Sequence, residues 1–122
     1  MKRPRDRTPY QKDPRSEPIS STTPDGFFVY VQDQHGVVWV LPDEGHVHPR
    51  VLGQAQPAKY AGDLSIEHGI ITSVTNLSGT FRFASKKGLR GVARQLRNQG
   101  LNVRAGAVRF FSTNGQRPIV LE

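Results

Sequence analysis

Residues 64–77 constrain the fold more than any other part of this chain. Two runs, 64–67 and 70–77, the second rich in β-branched residues, are joined by His68-Gly69. A two-residue link of this type favours φ > 0 at both positions, and its twist matches that of the strands it joins. The spacing therefore predicts an antiparallel hairpin. Strict alternation would put Ile70, Thr72, Val74 and Asn76 on one face and Ile71, Ser73, Thr75 and Leu77 on the other. A lone hairpin is marginal in water, so the rest of the chain must supply further strands or a helix to cover it.

Both are present. Residues 27–32 and 37–41 read as strands, with Asp33-Gln34-His35-Gly36 as turn chemistry between them and Pro42 as a stop. Residues 43–59 are punctuated by Pro49, Gly53 and Pro57 and read as irregular. Residues 80–83 resume extended structure after a Ser78-Gly79 break, and 107–112 with 118–121 make a last strand pair around Thr113-Asn114-Gly115. Residues 86–99 are the one good helix. Leu89, Val92, Ala93 and Leu96 fall at i, i+3, i+4 and i+7 as a single apolar stripe, Ser85 serves as N-cap and Gly100 closes the C-terminus. Gly88 and Gly91 weaken this helix, each by about 1 kcal/mol relative to Ala. The class is α+β, with a mostly antiparallel sheet of about six short strands packed by one helix.

Residues 1–24 hold five of the nine prolines, with six basic and three acidic residues. Few apolar side chains are available there to offset the entropy of ordering, which predicts a disordered basic tail followed by one domain over 25–122. No cysteine occurs, which removes disulfides and thiolate metal sites. No apolar run approaches a membrane span, and no apolar region follows the basic N-terminus as a secretory signal would require. The expected location is the cytoplasm, or outside the cell by a route without a classical signal.

Charge is segregated. Residues 68–121 contain no Asp or Glu but nine cations: Arg82, Lys86, Lys87, Arg90, Arg94, Arg97, Arg104, Arg109 and Arg117. Residues 25–67 carry six acids against Arg50 and Lys59, and the whole chain is +7. A directional field of this kind attracts a partner of opposite sign. Lys86, Lys87, Arg90, Arg94 and Arg97 decorate the predicted helix, with Arg90, Arg94 and Arg97 at i, i+4 and i+7 away from the apolar stripe. Asn76, Ser78, Thr80 and Arg82 form a polar row at alternate positions if the strand stays regular. These nine residues are the candidate binding surface, with an acidic protein surface or a nucleic acid as the partner.

Chemistry is harder to place. No Walker loop, dinucleotide fingerprint or nucleophile elbow is present. His46 and His48 point to one side of an extended segment, beside Arg50. A small basic domain could cleave RNA with such histidines as base and acid and an arginine on the phosphate. A loop whose histidines hydrogen-bond the backbone explains the same residues. Neither a metal nor another cofactor is called for. The expectation is a small non-catalytic interaction module, with an RNA-cleaving enzyme or toxin as the alternative.

Residues 46–83 contain HxHPxxLG and then AGDLSIEHGIITSVTNLSGTFRF. The stretch resembles a module with a short His-containing segment before an "AGE-strand-DG-strand-N-x-SGHY" hairpin, found in plant IQ-motif calmodulin-binding proteins and in bacterial proteins of toxin-like or uncharacterised role. The matching positions are His48, Ala61, Gly62, Gly69, Ile70, Asn76, Ser78, Gly79, Phe81 and Arg82, and looser similarity extends to residue 121. The resemblance implies the hairpin, the helix that follows it and a non-catalytic role. Thr80-Phe81 stand where that module has His-Tyr, and no IQ motif is present, so calmodulin binding is not implied.

Overall fold

The computed structural model describes residues 15–43, 58–77, 85–112 and 117–122. These form one mixed sheet of eight strands with one helix, an α+β fold. In chain order they are β1 (Glu17–Pro18), β2 (Gly26–Gln32), β3 (Val38–Pro42), β4 (Tyr60–Glu67), β5 (Ile70–Thr75), α1 (Lys86–Asn98), β6 (Asn102–Val103), β7 (Val108–Phe110) and β8 (Ile119–Val120). Across the sheet the order is β1-β3-β2-β4-β5-β7-β8, with β6 also beside β5. Pairing is antiparallel except that β6 and β7 run parallel to β5. The parallel pairings are possible because α1 lies in the connection and carries the chain back along the sheet.

The expected hairpin forms. His68 has φ 54° and Gly69 φ 75°, as the two-residue turn requires. The Asp25 carboxylate fastens the turn from outside, accepting from His68 N at 2.8 Å and Gly69 N at 3.0 Å. These bonds hold its carboxyl below the usual range. The strict alternation does not hold. Ser65 pairs with Ser73 and Ile66 with Ile71, so Thr72 is an extra residue that bulges from β5. The bulge shifts the phase of the strand, and Ile71 and Val74 are both fully buried. Thr72 instead meets the Ser65 hydroxyl at 2.8 Å.

The helix is as expected at its start and one residue shorter at its end. Ser85 caps it by accepting from Gly88 N at 2.9 Å. At the other end Gly100, φ 95°, donates to Arg97 O and Leu101 N donates to Leu96 O. This is a Schellman closure, and the buried pair Leu96 and Leu101 accompanies it. Leu89, Val92, Ala93 and Leu96 are all fully buried against the sheet. The Tyr60 hydroxyl donates to Ser85 O at 2.8 Å and ties β4 to the start of α1.

Eight strands replace the expected six or so. The additions β1 and β6 have two residues each, too few for any periodicity to show. The boundary of the tail also moves. Glu17 and Pro18 pair with Val40 and Trp39, and Ile19 is buried in the core, although 15–24 read as part of the Pro-rich tail. β4 begins at Tyr60 rather than 64, because residues 60–63 pair fully with β2. Buried on both sides, Tyr60, Ala61 and Gly62 show no alternation that would have marked a strand. The strand expected at 80–83 lies outside the described residues.

Candidate functional site

Of the residues singled out for chemistry, His46, His48 and Arg50 lie outside the described residues, as do Ser78, Thr80 and Arg82. Asn76 is described and is committed to the fold. Its side-chain amide donates to Phe111 O at 2.8 Å, and its carbonyl oxygen accepts from Phe111 N at 2.7 Å. The side chain continues the β5–β7 ladder by one rung where the backbone strand has ended. The polar row expected along this strand is thus used internally at its first member.

The helix cations differ in what they meet. Lys86 sits 5.9 Å from the centre of the Phe110 ring. Arg97 pairs with Glu122 at 2.5 Å, a partner 25 residues away in sequence that local spacing could not reveal. Arg90 is exposed on the same side of α1. Lys87 and Arg94 turn elsewhere, to a cleft of about 570 Å³ between α1 and the β2–β3 turn. Lys87, Gly91, Arg94 and Asn98 follow at i, i+4, i+7 and i+11 and form its helical wall. That row is about 16 Å long at 1.5 Å per residue. The opposite wall is Gln32, His35, Gly36 and Lys59, and Ser85, Gly88 and Gln95 complete the lining.

This second wall is built rigidly. Asp33 accepts from His35 N at 2.9 Å and Val37 N at 3.0 Å through one carboxylate oxygen, and from the Trp39 indole at 2.9 Å through the other. Its charge is thereby directed into the turn. Gln32 donates to Gly36 O at 3.0 Å from inside the same turn. His35 and Gly36 are thus held at the rim by a closed set of hydrogen bonds.

Among the described residues the lining contains three permanent cations, Lys59, Lys87 and Arg94, and no carboxylate. Each of the three is exposed, and none forms an ion pair among the described residues. The first turn of α1 adds no acid, so the positive end of the helix dipole is not offset there. Among the described residues no three His, Asp or Glu come together as metal ligands, and no helix is long and apolar enough to cross a membrane.

The two helix glycines have different reasons to be glycine. A Cβ on Gly88 would stand 2.6 Å from the Tyr60 ring, so this position must be bare for α1 to lie on β4. A Cβ on Gly91 would meet no described atom within 4 Å. Sequence spacing found Lys87 and Arg94 but missed His35, Lys59 and Gly91. The only signal for Lys59 was its status as one of two cations in an acidic stretch.

No family model, no curated protein and no solved structure matches the chain. Among the described residues, fold and site together define the class: a mixed sheet, a covering helix and a cationic cleft between the helix and a β-turn.

Proposed function

We propose that this protein is a small non-catalytic interaction module that docks an acidic partner on α1, with the cleft beside the β2–β3 turn as the principal contact. One observation carries the proposal. Lys59, Lys87 and Arg94 converge on a concave surface to which the described residues bring no carboxylate, although the chain places six acids in residues 25–67. Three cations brought together without counter-charge repel one another, and an anionic partner relieves that repulsion. The resemblance of residues 46–83 to a module of plant IQ-motif calmodulin-binding proteins and of bacterial toxin-like or uncharacterised proteins implies the same role.

The test is binding of the full chain to fluorescent RNA and DNA oligomers and to fluorescent poly-glutamate, read by anisotropy at two salt concentrations. The same samples go on a denaturing gel. Binding that weakens steeply with salt, with intact oligomers, is the expected result. Arg90→Glu with Arg94→Glu removes it, while His48→Ala leaves it. RNA fragmentation that His48→Ala abolishes would instead establish the RNA-cleaving alternative.

A further inference from the structure

The cleft has a floor that nothing in the described protein fills. Gly91 lies in the middle of a thirteen-residue helix, where glycine is disfavoured, and no described atom stands where its side chain would be. Gly88 is a glycine for the sake of Tyr60, whereas Gly91 has no such packing reason. What the missing side chain does is leave the backbone of α1 open to the cleft, between Lys87 and Arg94 along the same helical row.

The lining also selects among anionic partners. Among the described residues it consists of cations, amides, a histidine, a serine and glycines, with no apolar side chain. An acidic protein segment needs apolar anchors in its binding site to hold it, because exposed ion pairs alone contribute little. A phosphodiester chain needs only regularly placed cations and room for its backbone. A duplex is too broad to enter a cleft of about 570 Å³, but a few nucleotides of one strand fit.

We infer that this cleft is the seat of a single-stranded phosphodiester chain, with Gly91 as its floor and Lys59, Lys87 and Arg94 as its phosphate contacts. The inference rests on the docking function proposed above and names the partner class. The described lining residues include no aromatic side chain on which a base could stack, so they hold the strand by its backbone and affinity is nearly independent of base sequence.

The test uses the full chain with labelled single-stranded RNA and DNA, the matching duplexes and poly-glutamate. Gly91→Leu fills the floor. It weakens single-strand binding by about tenfold or more while leaving the melting temperature equal or higher, since leucine is the better helix former. Arg94→Gln supports the same end by removing a contact without adding bulk. Arg90→Gln, outside the cleft, has a smaller effect than Arg94→Gln. Unchanged single-strand binding in Gly91→Leu would overturn the seat while leaving the docking function standing. Poly-glutamate binding that Arg94→Gln weakens, with no strand bound, would overturn the partner class alone. Absence of binding to every probe would overturn both.

Discussion

The Tyr30 hydroxyl donates to the carbonyl of Thr75 at 2.6 Å, reaching from β2 across β4 to the end of β5. Gly62 is the residue it crosses. A Cβ there would stand 1.9 Å from Thr75 O and 3.0 Å from the Tyr30 ring. Burial keeps the hydroxyl protonated by pushing its pKa well up, so it acts as a donor throughout the working pH range. Tyr30→Phe removes the strut and should cost about 1–2 kcal/mol in urea unfolding. Gly62→Ala forces two strands apart and should cost more than Tyr30→Phe, about 3 kcal/mol or above. Equal stability of Gly62→Ala and the parent would contradict the crossing.

Asn76 replaces a rung of backbone ladder with a side chain. Asn76→Ala removes both bonds to Phe111 and should destabilise by about 2–3 kcal/mol. Hydrogen exchange locates the effect. The Phe111 amide should lose its protection first, while amides of β2 and β3 keep theirs.

Asp63 gives the fold a pH signature. Burial, and then the Asp43 charge, raise its pKa from 3.8 to about 6. Between about pH 4 and 6 the folded chain holds a proton that the unfolded chain has released. This contribution to stability therefore falls as pH rises across that window and is level above it. Asp63→Asn should flatten the slope, raising the melting temperature at pH 7 and changing it little at pH 4. A melting profile of Asp63→Asn parallel to the parent would show that Asp63 does not set the slope.

For the cleft, salt dependence separates charge from shape. Each lost phosphate contact should lower the slope of log affinity against log salt by about 0.7 for a single strand. Lys87→Gln and Lys59→Gln should each show this, with little change in melting temperature because both side chains are exposed. Gly91→Leu should lower affinity with the slope largely kept. A variant series in which all three changes lower the slope alike would show that Gly91 acts through charge placement rather than through space.

Local grammar made part of this fold legible. His68-Gly69, the Ser85 cap, the Leu89–Leu96 stripe and Gly100 each depend on neighbours within a few residues, and each stands where the spacing puts it. The bulge at Thr72 was hidden because its residue types suit either phase of the strand. β1 was hidden because Glu17-Pro18 has no strand signature of its own and is held from far away. The cleft was hidden for the same reason. His35, Lys59 and Arg94 belong to separate stretches that only the sheet and helix bring together. The pairing of Arg97 with Glu122 was hidden likewise, because 25 residues separate the two in the chain.

Gln99 bonds at once to both of the strands at that edge of the sheet. Its side chain accepts from Val38 N at 2.8 Å and donates to Ile19 O at 2.9 Å, which lies 80 residues earlier. Order of assembly follows from that reach. β2 to β5 can zip from neighbour to neighbour as they emerge during synthesis, but β1 rests on the short pairing of Glu17 and Pro18 with β3 and on Ile19 N bonded to Val38 O until the end of α1 arrives. The earliest described strand in the chain is therefore among the last to be secured, and the residue that secures it ends the helix that walls the cleft.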